Sequence, residues 1–566
     1  MCFAHNRLTL LLVVFAARAA DGATWHVSPD VLSNVAAAEQ RRSINEAAAA
    51  ARAGDVVLIH SGVYRESVVL EASGTAAKRI RFEAAPNANV TVSGADVLIE
   101  WRDEGGGIFS TAWPHRFVGW SKTEAHPDDE LHRLIGRPEQ VLVDGYPLAQ
   151  TLSREALGRG GFFVDLVGQR LFVSTATGEA PAGTSGGRPI VEAATRATLF
   201  DCKGAHVLIR GITFRHAANH AQQSAITLHG AADTLEDCVV ERTSGVGVWF
   251  GAVDQKARRC VFQDNGELGF SGVRAHRLRV SDSLLRNNNT KGFNRNWEAG
   301  GAKIVLSRDV LIERTRVLDN RGPGLWFDIG NENCTVRNSL LATNEGAGIY
   351  YEISYGLRAS DNVIVANGLA TDARMWGVQG GISISSSANC SVQRNLLVAN
   401  REGLSFREQG RTTPRIDRPS AGEEPIWNRN ATITNNVIAE NVVAQTAGWF
   451  AADDERHWPR LLQQSKSVAS LEKLQIRFAN NLYSVADAQR LIVWGPLWSR
   501  HVVYSQLGDV RRALGLEGGS RVAPIPFRNY SARDFRLPAV SVAFRMNCYP
   551  RGEVPGVVLG KTAAEP

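Results

Sequence analysis

Asp328 and Glu352 each close a short apolar segment entered through glycine, Gly324-Leu-Trp-Phe-Asp328 and Gly348-Ile-Tyr-Tyr-Glu352. They stand 24 positions apart. Two carboxylates held side by side are equipped for acid–base and nucleophilic chemistry at an acetal carbon. One attacks as the anion; the other, kept protonated by its neighbour's charge, protonates the leaving oxygen. That chemistry requires the two acids on adjacent elements, projecting to the same side.

Elements of that kind recur along the chain. Segments led by Ala, Ser or Gly begin at Ala225-Ile-Thr-Leu and Gly247-Val-Trp-Phe and continue through Gly269, Gly301, Gly324, Gly348, Gly381 and Gly403. From Gly247 on, the gaps are 22, 32, 23, 24, 33 and 22 residues. Between them lie a second apolar strand and an asparagine turn, as in Cys334-Thr-Val-Arg-Asn-Ser-Leu-Leu-Ala-Thr-Asn344 and the stretch Cys390 to Asn400. A coil of this size cannot bury its own apolar face, so stacked coils must share one interior. Asparagine suits the corners because it tolerates the left-handed backbone and forms side-chain ladders. The period, the short strands and the absence of an LxxLxL helix repeat give an all-β fold, a parallel β-helix.

Strand alternation then sorts the side chains. Leu325 and Phe327 point inward, Trp326 and Asp328 outward; on the next coil Tyr350 and Glu352 point outward. The coil register places Lys303, Trp326, Tyr350 and Ser383 in one outer column and Asp328, Glu352, Ser385 and Arg407 in the next. Adjacent strands lie about 4.7–4.9 Å apart, so the two carboxylates should fall near the ~5–5.5 Å of a retaining glycosidase. Trp326, Tyr350 and Trp249 offer aromatic faces to sugar rings. Lys303 and Arg407 offer cations to hydroxyls or a carboxylate. The two long gaps hold inserts, one containing Trp297 and Glu298 as further substrate contacts, the other spanning Leu369 to Trp376. A third insert, Gly410 to Trp427, is rich in Arg, Pro and Glu. Long loops on a regular scaffold usually carry function, and these flank the acid-bearing coils as walls of a cleft. Outward acids on a solenoid are often merely solvated, but neighbouring like charges repel, and tolerating that cost among aromatics and long loops favours a functional pair.

The rest of the chain reads as support. Residues 1–23 form a secretion signal, with Arg7, an apolar run from Leu8 to Ala17 and small residues beyond, so the expected location is secreted or periplasmic. Residues 24–95 hold a helix capped by Ser43 and ended at Gly54, which plugs the solenoid, followed by first coils. Residues 96–198 break the period and form an inserted small β module. Residues 199–445 are the β-helix core, and 446–566 a C-terminal helix at Arg460–Leu474 and a capping segment. The chain has 63 basic and 57 acidic residues without a dense basic block, which argues against nucleic acid as a partner. No apolar run is long enough to span a membrane. Six cysteines outside the signal are too few for a disulfide framework, although Cys238 and Cys260 could stack in adjacent coils. His126, Asp128, Asp129, Glu130 and His132 sit in one polar loop that reads as a solvated turn. No metal and no cofactor is expected.

The run Lys303…Gly324-Leu-Trp-Phe-Asp328…Gly348-Ile-Tyr-Tyr-Glu352 resembles the core of right-handed parallel β-helix glycoside hydrolases, notably families 120 and 141. Arg137-Pro-Glu-Gln-Val-Leu-Val-Asp-Gly145, Ser43 to Glu66 and the ending Asp534-Phe-Arg-Leu…Pro555-Gly-Val extend the likeness over nearly the whole chain. The resemblance implies a secreted glycosidase acting on a carbohydrate of the xylan, fucose or related plant or algal type, with Asp328 as nucleophile and Glu352 as acid/base. Two rivals share the fold. In a polysaccharide lyase, Lys and Arg would act as base and acid while Asn294, Asn296 and Glu298 held calcium beside Lys303. A glycan-binding β-helix would have no catalytic pair at all.

Overall fold

A computed structural model describes residues 22–117, 134–181, 189–370, 377–408, 411–419, 422–450, 474–495 and 501–560. The chain winds into a parallel β-helix whose coils contribute to three long sheets, one of 14 strands and two of 13. The site lies on the 13-stranded sheet that runs from Val68–Leu70 to Val502–Tyr504 and includes Gly300–Val305, Leu325–Asp328, Ile349–Glu352, Gly380–Ser385 and Glu402–Glu408.

Inward residues stack as the alternation requires. Leu325, Phe327, Ile349 and Tyr351 are fully buried. Phe327 and Tyr351 meet with ring centroids 5.6 Å apart, as do Phe250 and Phe270. Each buried ring contributes roughly 1.5–3 kcal/mol of transfer free energy, and the shared interior supplies what no coil has alone.

The turns are held by an asparagine ladder. Asn265, Asn288, Asn320, Asn344, Asn367, Asn400 and Asn441 pass Nδ2–H···Oδ1 bonds of 2.8–3.1 Å from coil to coil. Beside it runs the glycine column. A Cβ on Gly324 would come 2.8 Å from the Gly348 carbonyl and 2.9 Å from Asn344 Nδ2, and one on Gly348 would come 2.7 Å from the Gly381 carbonyl. Close coil approach at the ladder therefore leaves room only for glycine, which is why the repeat was visible in the sequence.

At the N-terminal end the helix is shorter than Ser43–Gly54: it spans Ile44–Ala50, with Ser43 Oγ accepting from Glu46 N at 3.1 Å. The chain leaves the helix after Ala50, and Asp55 Oδ2 accepts from Arg52 N at 2.9 Å in the turn beyond it. The region after it carries a five-stranded and a four-stranded sheet, including the hairpin Val141–Val143/Tyr146–Pro147 and the antiparallel pair Gly161–Asp165/Arg170–Ser174. The signal and the His126–His132 loop lie outside the described residues, as do residues 371–376 and nearly all of Arg460–Leu474. A helix that the sequence reading missed, Leu507–Leu514, ends at Gly515 in the left-handed conformation. Beyond it, Phe535, Leu537, Cys548 and Tyr549 cover Leu340, Val363, Leu396 and Val437 on the outside of the other 13-stranded sheet. Cys202, Cys238, Cys260, Cys334, Cys390 and Cys548 are all unbridged and buried, so Cys238 and Cys260 neighbour each other without a disulfide. No described helix is long and apolar enough to cross a membrane.

Candidate active site

The ladder pairs Lys303 with Trp326, Trp326 with Tyr350 and Tyr350 with Ser383. On the inner face Phe327 pairs with Tyr351 one residue before the acids, and in the neighbouring outer column Glu352 pairs with Ser385, which pairs with Arg407. Asp328 and Glu352 therefore occupy corresponding positions on consecutive coils. Both line one pocket of about 280 Å³, together with Lys303, Trp326, Tyr350 and Arg407.

The inserts wall this pocket. Arg295, Asn296 and Trp297 come from the first, Val378 and Gln379 follow the second, and Arg411 comes from the third. In the third insert Arg411–Pro414 pairs antiparallel with Glu423–Ile426. Arg415 fastens this hairpin to the β-helix through Glu332 at 3.1 Å and the Tyr355 ring at 4.2 Å. Arg295, Gln379 and Arg411 were not singled out in the sequence. Arg295 and Arg411 sit on inserts and Gln379 between an insert and the strand Gly380–Ser385, outside the coil register, and the only signal was the composition of those inserts.

The environments of the two acids differ. The Lys303 ammonium lies 3.2 Å from Asp328 Oδ2 and 3.5 Å from Glu298 Oε2, and it donates to the Trp297 carbonyl at 2.6 Å. It also sits 4.3 Å from the Trp326 ring centre. Glu352 lies in a different environment, near Tyr350, Arg407 and Arg411. Burial, followed by the charge of Asp328, raises its pKa above the ordinary carboxylate range; a hydrogen bond from Tyr350 and the charges of Arg407 and Arg411 oppose the rise. Burial, reinforced by the Glu352 charge, pushes the Tyr350 hydroxyl well up, so it remains a donor. The arrangement separates the pair into a carboxylate beside a cation and a carboxyl that holds its proton more tightly than usual, the direction that acid-assisted displacement needs.

The aromatics of the site are recessed. Trp326 and Tyr350 are each 4% exposed and pack against one another with centroids 5.2 Å apart at 32°. They form the pocket floor beneath the acids, and the buried Trp326 Nε1–H finds no acceptor among the described residues. Glu298 does not line the pocket. It bridges Lys303 and Gln222, accepting from Gln222 Nε2 at 2.8 Å, and thus acts on the site through Lys303. Trp249 is also outside it. It belongs to the same outer column, but lines a second cavity with His229 and Gln222.

Two of the three calcium ligands of the lyase reading are engaged within the protein. Glu298 is committed to Lys303 and Gln222, and Asn294 Oδ1 accepts from the Asn296 backbone at 3.0 Å. Among the described residues no three His, Cys, Asp or Glu side chains converge as a metal site.

Comparison with known proteins agrees with this architecture. Residues 202–397 match the family described as "Right handed beta helix region". Among solved structures, XylC in complex with xylose is similar at a TM-score of 0.60 and 15% identity, over 84% of this chain and 86% of that one. A structure described as a glycoside hydrolase matches at a TM-score of 0.50 and 12% identity, over 68% and 95% of the two chains. The alginate lyase AlyGC also matches at a TM-score of 0.50 and 12% identity, over 92% of this chain and 57% of the other. No curated protein sequence matches. The fold is a right-handed parallel β-helix.

Proposed function

We propose that this protein is a secreted or periplasmic glycoside hydrolase that cleaves a polysaccharide or oligosaccharide of the xylan, fucose or related plant or algal type with retention of configuration. The observation that carries the reading is the unequal pair. Asp328 faces the Lys303 ammonium at 3.2 Å and Glu352, on the next coil, has its pKa raised by burial and by Asp328. Asp328 attacks the anomeric carbon while Glu352 gives its proton to the departing oxygen. Asp328 becomes esterified to the sugar. Glu352, now ionised, takes a proton from water as that water attacks the same carbon, and the free carboxylate of Asp328 returns. The similarity to XylC in complex with xylose and to a glycoside hydrolase supports the class through the fold.

The lyase reading draws on Lys303 and Arg407 in the same pocket and on the likeness to AlyGC. A lysine acting as base must release its proton, whereas here two carboxylates and a carbonyl surround the ammonium. Hydrolysis is therefore the better reading.

A panel of aryl glycosides and polysaccharides, assayed with the wild type and with Asp328→Asn and Glu352→Gln, tests it. Reducing ends should form without ultraviolet-absorbing unsaturated uronates, and both substitutions should abolish turnover. Full activity in both variants would refute the assignment.

A further inference from the structure

The outer column that carries the pocket floor continues well past it. Thr227, Trp249, Ser271, Lys303 and Trp326 are in continuous register on five consecutive strands. Trp249 is three strands from Trp326, on the order of 14 Å at the spacing of adjacent strands. That is the reach of a short oligosaccharide, not of a single ring.

At Trp249 the surface opens into a second cavity of about 700 Å³. The inserted module supplies His115 and Phe117, and the β-helix supplies Gln222, Thr227, His229 and Trp249. The indole lies over Gly251, where a Cβ would come 1.9 Å from the ring, so glycine is what lets the tryptophan lie down on the sheet. His229 stands 5.3 Å from the indole at 59° and is held by Asp201 at 3.1 Å. An aromatic face bordered by hydroxyl and amide groups, with no carboxylate among the described lining residues, suits the apolar face and hydroxyl edge of a sugar ring. Gln222 reaches from this cavity to Glu298, and Glu298 to Lys303, so the wall of one cavity is bonded to the wall of the other.

We infer that this second cavity is a distal subsite that holds a sugar of the same glycan chain whose scissile bond lies at Asp328 and Glu352, with Trp249 as its stacking platform. The inference rests on the glycan-cleaving reading and adds that the substrate is several residues long.

The test compares wild type, Trp249→Ala and Trp249→Phe on aryl monoglycosides and on xylo-oligosaccharides of increasing length. In parallel, calorimetry measures binding of xylo-oligosaccharides and of oligoalginates to Glu352→Gln with and without Trp249→Ala. In the wild type kcat/KM should rise with chain length, and Trp249→Ala should lower the ratio of long-chain to aryl-glycoside kcat/KM tenfold or more, with Trp249→Phe keeping part of it. Affinity for one oligosaccharide series should fall in the same way. Hydrolysis whose dependence on length is the same with and without Trp249 would overturn the subsite alone. Oligosaccharide binding that depends on Trp249, without hydrolysis of any substrate, would overturn the hydrolase reading and leave the subsite standing. If neither series binds in a Trp249-dependent manner, the subsite is overturned.

Discussion

Lys303 stands between Asp328 at 3.2 Å and Glu298 at 3.5 Å, so one ammonium joins an acid of the pocket to a residue outside it. Its side chain is 9% exposed and that of Asp328 13%, and bulk water therefore does little to replace the pairing. Lys303→Met would leave Asp328 without its nearest cation and uncover the Trp326 ring. Breaking such a pair costs roughly 3 kcal/mol, equivalent to about a 100-fold loss in kcat if the nucleophile bears it. Lys303→Arg should recover part of the loss. Glu298→Gln keeps the shape but removes one of the two negative charges beside the ammonium, and about a tenfold loss in kcat with little change in KM is expected, since Glu298 reaches the pocket only through Lys303.

The pH profile should respond to two groups in opposite directions. Glu352 must be protonated to act as acid, so activity falls as pH rises through its raised pKa. Arg407 and Arg411 favour the ionised form, and Asp328 disfavours it. Arg411→Met should therefore move the basic limb of kcat/KM to higher pH. In Asp328→Asn, where turnover is lost, titration of Glu352 by NMR should show its pKa lowered. A basic limb that stays in place in Arg411→Met would mean that Glu352 is not the acid.

Much of this geometry was legible because the coil repeats one steric demand. Each turn needs glycine against the next carbonyl and asparagine in the ladder, and those residues mark the register that put Lys303 beside Trp326 and Glu352 beside Ser385. Trp249 was grouped with the aromatics of the site by residue type alone; the register carries it in the same column as Lys303 and Trp326, but no spacing along the chain could show that it opens into another cavity. Nor could alternation tell an outward tryptophan from an exposed one: Trp326 faces outward and is nevertheless covered. Arg295 and Arg411 escaped notice because inserts are held by individual contacts, such as Arg295 with Glu345 at 3.0 Å, that carry no period.

The ladder itself makes a stability prediction. Asn344 donates to Asn367 Oδ1 at 2.8 Å and to the Val317 carbonyl at 3.0 Å, and its own Oδ1 accepts from Asn320 Nδ2 at 2.8 Å. Asn344→Ala strands several buried partners at once. Each unsatisfied group costs about 1–3 kcal/mol, so destabilisation of at least 3 kcal/mol is expected in urea unfolding. Asn430→Gly makes a useful control, because that asparagine is exposed, donates to Asn389 at the surface and has a φ of 54°, which glycine adopts freely. Its cost should stay within about 0.5 kcal/mol.

Glu352 should also weaken the fold that holds it. Its pKa is higher folded than unfolded, because burial and Asp328 penalise the anion. Such a group stabilises the fold fully below the ordinary carboxylate range, and that contribution is lost as pH rises through the raised value. Glutamine keeps the neutral shape at every pH and escapes the loss. Glu352→Gln should therefore match the wild type in acid and exceed it at neutral and higher pH, by on the order of 1 kcal/mol, within the range of stability gained when active-site strain is relieved. Thermal unfolding of both proteins across a pH series measures this directly. A stability difference independent of pH would show that Glu352 titrates normally, and would remove the basis for its role as the acid.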